Sequence, residues 1–396
     1  MKLLTVPSSM NLKGKRVLLR IGWNIPLRKK FASEDALKIE RSLATLKWLR
    51  QRGAIVIILA HLGRPKKPEP KFSTRHLARL VNRVYHQTIV FHGERVSFFK
   101  ERHVLLNKLK RAQPGSFHLL ENVRFEPGEE KNSKALAKAY ASLGELFIND
   151  AFADYRPHVS VVGIPKFLDA YAGPALVAEV QALQRLIHHP KHPFVAFIGG
   201  LKISSKLPFL KSLLTLCDRV YLGGAMSMNI AAARGWVVGK SVIEKSALPL
   251  ARPIMKNKKL VLPVDVQVTT KLTSHPKIRS IPIRSMGPQD MVVDVGPKTL
   301  AMWKKDIASS KTILWNGPVG IVEISACAKG SRALAQMIAQ RSKGSTFGVA
   351  GGSDTVPIIF STKTQKKFDY VSTGGGALLE FVAKKGKLPG LIQLMR

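Results

Sequence analysis

Short, almost wholly apolar runs recur along this chain, and that rhythm restricts the fold more than any other property. RVLLRI (16–21), AIVIILA (54–60), TIVF (88–91), FHLLEN (117–122) and ELFIND (145–150) are separated by 20 to 35 residues of helical character. Runs apolar at every position belong to strands buried on both faces, as in a parallel sheet covered by crossover helices. A second series follows: FVAFIGG (194–200), RVYLGG (219–224), KLVLPVDV (259–266), KTILWNG (311–317), TFGVAGG (346–352) and DYVSTGGG (369–376). Two series predict two α/β domains. Between them GPALVAEVQALQRLIHHPKHP (173–193) has helical apolar spacing and ends at a proline-broken turn, so it reads as a linker helix.

In open α/β sheets ligands sit beyond the carboxyl ends of the strands. In the second half those ends read GG, GG, NGP, GGSDT and STGGG. Glycine there lets backbone N–H groups approach a ligand closely, and a following helix start attracts anions. Five such ends, with Lys202 and Lys206 four apart on one expected helical face, predict a phosphorylated ligand. No GxxxxGK[ST] occurs and no GxGxxG follows the first strand of either half, so the nucleotide site is of another kind. Glu323, after the Asn316-Gly317-Pro318 turn, is a carboxylate suited to ribose hydroxyls. Asp354 and Thr355 sit where a helix should start. They read as an N-cap, and a role as an oxygen ligand for a phosphate-bound Mg²⁺ is compatible with capping.

The first half carries cations at its strand ends: His61 and Arg64 in AHLGRP, Arg124 in ENVRF, and Arg156 with His158 in DAFADYRPH, with Asn24 in RIGWNIP. Same-sign groups at successive strand ends predict an anion pocket, and its natural guest is a small acid carrying a phosphate. His188, His189 and His192 crowd the end of the linker helix without a carboxylate or cysteine nearby in sequence, which reads as a solvated loop.

Charge bounds the remaining classes. The net charge is +39, from 64 basic and 25 acidic residues, but the basic residues are scattered and aromatics are only 7%. That pattern disfavours a dedicated nucleic-acid surface, which would interleave aromatics with basic runs, and leaves nonspecific polyanion binding at low salt. Two cysteines, Cys217 and Cys327, build no disulfide framework, and no apolar stretch approaches 18 residues. A cytoplasmic protein without membrane or specific nucleic-acid partners is expected.

The motifs RVLLRIGWNIPL, AHLGRP, LLENVRFEPGEE, NDAFADYRPH, GGLKISSK, GGAM, LPVDV, DVGPKT, LWNGPVGIVE, GGSDT, STGGGA and LPG occur in the order seen in phosphoglycerate kinases. The chain resembles that family over nearly its whole length. The resemblance implies two Rossmann-like parallel-sheet domains of similar size joined by a hinge helix, in a monomer. The implied bounds are 1–170 for a phosphoglycerate-binding domain, 171–190 for the linker and 191–382 for a nucleotide-binding domain, with about 383–396 returning to the first. The implied reaction is reversible phosphoryl transfer between 1,3-bisphosphoglycerate and Mg-ADP, giving 3-phosphoglycerate and ATP. Carried over by position, Gly22, Trp23, Asn24, His61, Leu62, Gly63, Arg64, Arg124 and Arg156 hold the phosphoglycerate. Gly200, Lys206, Gly224, Asn316, Pro318, Glu323, Gly352, Ser353, Asp354 and Thr355 hold the nucleotide, with Asp354 on Mg²⁺. Lys38, Lys202, Lys206 and Gly375 serve the transfer.

The sequence departs from the family in four places. Gly22 and Trp23 stand where the family has Asp-Phe, an aspartate that grips the substrate hydroxyl. Lys38 replaces an arginine, keeping charge but losing the bidentate fork, with Arg41 one turn away as a candidate substitute. The loop before Arg156 is one residue short, with Tyr155 where a histidine is expected, and Ser353 replaces a glycine. An alternative is therefore a degenerate relative that binds nucleotide without efficient turnover.

Overall fold

A computed structural model describes residues 2–26 and 33–395. The chain divides into two compact units, 1–181 with 387–396, and 182–386.

The first unit is built on β1 (Arg16–Arg20), α1 (Ser33–Gln51), β2 (Ile55–Leu59), α2 (Arg75–Tyr85), β3 (Ile89–His92), α3 (Phe99–Lys110), β4 (Phe117–Leu120), α4 (Lys134–Ala141), β5 (Leu146–Asn149) and β6 (Ala170–Ala172). Its strands pair parallel in the order β3-β4-β2-β1-β5-β6. Alternate residues of each run feed opposite faces, as the pleat requires. Val17, Leu19, Val56 and Ile58 join one apolar cluster, and Leu18, Ile57 and Leu59 join another on the far side. Covering both faces is why the runs read as continuously apolar.

The helix α5 (Pro174–Ile187) spans the point where the chain passes from one unit to the other. The second unit follows with β7 (Phe194–Ile198), α6 (Leu207–Leu216), β8 (Arg219–Leu222), α7 (Gly224–Ala233), α8 (Leu248–Met255), β9 (Leu260–Val261), β10 (Asp265–Thr269), β11 (Arg279–Pro282) and β12 (Met291–Val295). It continues through α9 (Pro297–Ser309), β13 (Thr312–Asn316), α10 (Lys329–Arg341), β14 (Phe347–Gly351), α11 (Val356–Ser361), β15 (Tyr370–Ser372) and α12 (Gly376–Ala383). A parallel sheet runs β15-β14-β13-β7-β8-β9, and a separate antiparallel sheet runs β11-β10-β12.

That small sheet is absent from the periodicity reading, which took KLVLPVDV as one strand. Pro263 has no N–H to give a ladder, so the run divides around it. Its first part, β9, ends the parallel sheet, while its second part, β10, leads the antiparallel one. The last helix, α13 (Pro389–Ile392), belongs to the first unit, where Leu388, Leu391 and Leu394 are buried.

The two strand orders fix where ligands fit. In the first unit the chain leaves β1 towards β2 and later leaves β5 towards β6 on the other side, so the crevice opens between β1 and β5. In the second it leaves β7 towards β8 and β13 towards β14, so the crevice opens between β7 and β13.

Candidate active site

At the β1/β5 crevice the structure assembles a buried, charged cluster from Arg20, His61, Asp154, Ser160 and Glu129. Arg20 is only 2% exposed. Its Nε donates to Ser160 Oγ at 3.0 Å and a terminal nitrogen donates to the Ile21 carbonyl. Its Nη2 lies 3.0 Å from His61 Nδ1 and 3.1 Å from Asp154 Oδ2. Asp154 Oδ1 is 3.3 Å from the same imidazole nitrogen. Ser160 in turn donates its hydroxyl to Glu129 at 2.6 Å.

The electrostatics follow from burial first. Burial pulls His61 down to about 4, and Arg20, Arg124 and His158 add to it against Asp154, so the ring is neutral at pH 7. Burial pushes Asp154 up, but Arg20, His61, Arg124 and His158 outweigh it and hold its carboxyl below the usual range. Glu129 is raised to about 7 by burial, against the Ser160 hydrogen bond and Arg20.

Of the cations expected from sequence, Arg124 and His158 act on His61 and Asp154, and Arg64 acts on Arg124. Arg124 is half-buried and pairs with Glu130 at 3.0 Å. Arg64 and Arg156 are exposed, and neither makes an ion pair among the described residues. Asn24 is exposed, but its side-chain oxygen already accepts from the Gly63 N–H at 2.9 Å. Lys38 donates to the Asn24 carbonyl at 3.4 Å and lies 3.7 Å from Asp35.

Three expectations in this half are corrected. Trp23 is 0% exposed and sits in the apolar core between Ile21 and Ile25, so its side chain reaches no ligand. Leu62 is buried in the same core, and its carbonyl accepts from Asn122 at 2.8 Å. Arg41 pairs with Glu179 at 3.1 Å and so does not stand in for the missing arginine. Gly22 is half-buried, and a Cβ there would meet nothing nearer than Ala151 Cα at 4.0 Å.

In the second unit Lys206 marks the β7/β13 crevice. Its Nζ donates to the Gly199 carbonyl at 2.6 Å and to Asn316 Oδ1 at 2.8 Å. Burial lowers it to about 8 despite the attraction of Asp354. The chain turns tightly enough here that a Cβ on Gly199 would lie 1.8 Å from the Pro318 carbonyl oxygen. Gly200 and Gly317 take φ values of 100° and 89°, which side chains resist. Beside the lysine lies a mainly apolar cavity of about 230 Å³, lined by Gly200, Gly224, Met228, Val292, Pro318, Ile321, Glu323 and Asp354.

Here too the structure revises the reading. Lys202 and Lys206 share no helical face: Lys202 precedes a short 3₁₀ turn, Ser204–Lys206, and is exposed, while Lys206 is the residue before α6. Asn316 spends both polar ends holding neighbours, Oδ1 on Lys206 and Nδ2 on the Gly351 carbonyl at 2.7 Å. Thr355 is fully buried and does not cap α11; its hydroxyl accepts the Gly317 N–H at 2.7 Å. Gly352 is half-buried, and Ser353 and Asp354 are exposed, with the serine hydroxyl donating to the aspartate at 3.1 Å. Gly375 has φ 49° with nothing within 4 Å of a Cβ, immediately before α12. His192, read as solvated, is paired with Asp218 at 2.7 Å.

Sequence reasoning missed Arg20, Asp154, Glu129 and Ser160. Arg20 lay inside an apolar run, and the ion-pair partners of Asp154, Arg20 and His61, are more than 90 positions away. Among the described residues no group of three or more metal-ligating side chains could hold an ion, and no helix is long and apolar enough to cross a membrane.

One crevice is thus lined by guanidinium and imidazole groups and the other by glycine turns around a half-buried lysine. The family model described as phosphoglycerate kinase matches residues 8–385. The chain is 38% identical over 385 residues to the phosphoglycerate kinase of Thermus thermophilus, covering 96% of each. It is 37% identical over 396 residues to that of Thermosipho africanus, covering 97% of this chain and 96% of the relative. The structure of phosphoglycerate kinase from Coxiella burnetii superposes with a TM-score of 0.83 at 35% identity, over 100% of this chain and 99% of that one. That from Pyrococcus horikoshii gives 0.83 at 26% identity, over 99% and 98%. Since a full-length match in sequence and in fold accompanies the two crevices, the chain belongs to the phosphoglycerate kinase family.

Proposed function

We propose that this protein catalyses reversible phosphoryl transfer between 1,3-bisphosphoglycerate and Mg-ADP, giving 3-phosphoglycerate and ATP, as a monomer in the cytoplasm. The observation that carries the reading is the half-buried Lys206, its ammonium held by the Gly199 carbonyl and Asn316 where the β7 and β13 turns meet. A lysine desolvated to that degree gains most from an anion, and phosphoryl transfer asks the protein for positioning and charge neutralisation more than for covalent chemistry. The purine base fits the apolar cavity, with Glu323 at its edge for the ribose hydroxyls. Ser353 and the Gly352 and Gly375 backbones take the phosphates, and Gly200, Gly224 and Pro318 shape the wall. Lys202 and Lys38 are exposed or half-exposed cations that serve the transferred group.

Asp354 fits the metal that accompanies the nucleotide. It is exposed, carries no ion pair among the described residues, and Mg²⁺ bound to phosphates needs only one or two protein carboxylates. That ion would supply charge neutralisation on the phosphates. The acid is held in the first unit by Arg64, Arg124 and Arg156, with His61 as a neutral partner.

In the forward direction a terminal phosphate oxygen of ADP attacks phosphorus and the carboxylate of 3-phosphoglycerate leaves. The test is a coupled assay of purified protein with Mg-ATP and 3-phosphoglycerate. Turnover well above a Lys206→Ala control is expected. A rate no higher than that control overturns the reading and leaves the degenerate alternative.

A further inference from the structure

We propose that Asp154 is the residue that selects the hydroxy acid, its Oδ1 accepting a hydrogen bond from the 2-hydroxyl of phosphoglycerate. The inference rests on the function proposed above and concerns the same pocket. A phosphoglycerate offers two anionic groups, which the cations of the first unit suit, and one hydroxyl, which needs an acceptor. Among the described side chains of the cluster, acceptors are scarce. Arg20, Arg64 and Arg124 only donate. The oxygen of Asn24 is occupied by the Gly63 N–H. Both oxygens of Glu129 accept from Ser160, and Glu130 is paired with Arg124. Position 22 is a glycine and contributes no side chain.

Asp154 remains. Its Oδ2 is closed to solvent against Arg20. Its side chain keeps 12% exposure while Oδ2 has none, so what is open lies on the side of Cβ and Oδ1. Among the described residues the one ion-pair contact of Oδ1 is His61 Nδ1, at 3.3 Å, and Arg20 Nη2 lies nearer the same nitrogen, at 3.0 Å. Arginine can only donate, so in that hydrogen bond Nδ1 is the acceptor and has no proton for Asp154. The carboxylate is thus fixed in place by the Arg20 charge with an oxygen unspent. It faces the right neighbourhood, because the loop carrying it begins at Ala151, the nearest neighbour of a side chain at position 22.

Binding calorimetry on the full-length protein tests this with 3-phosphoglycerate and with 3-phosphonooxypropanoate, which lacks only the hydroxyl. The wild type should prefer the hydroxy acid by at least about tenfold, the scale of one hydrogen bond to a charged acceptor. Asp154→Asn should shrink that preference about tenfold while binding the deoxy acid as tightly or more tightly, since a negative charge has left a cationic pocket. An equal loss for both acids would mark a merely structural residue and overturn the proposal. The wild-type ratio needs no variant, and a preference below about threefold overturns the proposal by itself. Failure of the wild type to bind either acid would instead overturn the function on which it rests, and the inference with it.

Discussion

Lys206 is where burial and function meet in one side chain. Its folded value of about 8 lies below that of free lysine, so it loses its charge as pH rises through 8 in the unliganded protein. kcat/KM reports groups of the free enzyme, so that quantity for the nucleotide should fall as pH rises through about 8. Lys206→Arg should remove this alkaline limb, as a pH-rate profile would reveal. Glu129 acts on stability instead. Its value of about 7 is raised above the ordinary carboxylate range. Its contribution is therefore full below about 4.5 and lost as pH climbs through 7. Against Glu129→Gln, the wild type should lose about 3 kcal/mol between pH 4.5 and 8 in urea unfolding, at roughly 1.4 kcal/mol per pH unit. At this scale the sequence exposed what stands next to strand ends and hid what burial brings together. His61, Arg64 and Arg124 were legible because motif position gave them away. Asp154 and Glu129 were not, because their roles come from partners distant in sequence. Trp23 misled because a motif neighbour of ligand groups turns its side chain inward every second residue along an extended segment.

The turns after β7 and β13 form a single packed unit, in which two backbones approach too closely for any side chain between them. Gly199→Ala would drive a methyl against the Pro318 carbonyl and should destabilise the second unit by about 3 kcal/mol or more, with nucleotide binding lost. Gly235→Ala is the control: it also has positive φ, 79°, but nothing within 4 Å, so only the backbone penalty of about 1 kcal/mol applies. Thermal melts of both variants compare the two. The strands themselves were the most readable elements, since burial on both faces writes an unbroken apolar run. The antiparallel trio was unreadable for the opposite reason. Its β11 is a largely exposed edge without apolar alternation, and Pro263 divides what looks like one strand between two sheets. Lys202 and Lys206 were misjudged for a related cause: i,i+4 spacing implies a shared face only after the helix has begun.

The molecule is two α/β units that are not two successive stretches of chain, because residues 387–396 complete the first unit. Leu4 donates its N–H to the Leu394 carbonyl at 2.7 Å, and Leu388, Leu391 and Leu394 are buried. Deleting 387–396 should destabilise the first unit by several kcal/mol, at about 2 kcal/mol for each buried leucine. Calorimetry should then resolve a lowered transition for that unit and an unshifted one for the second. This long-range closure also sets a timetable for synthesis. On the ribosome the first unit starts to emerge first but must wait for residues 387–396, so the unit translated second is the one able to finish folding earlier.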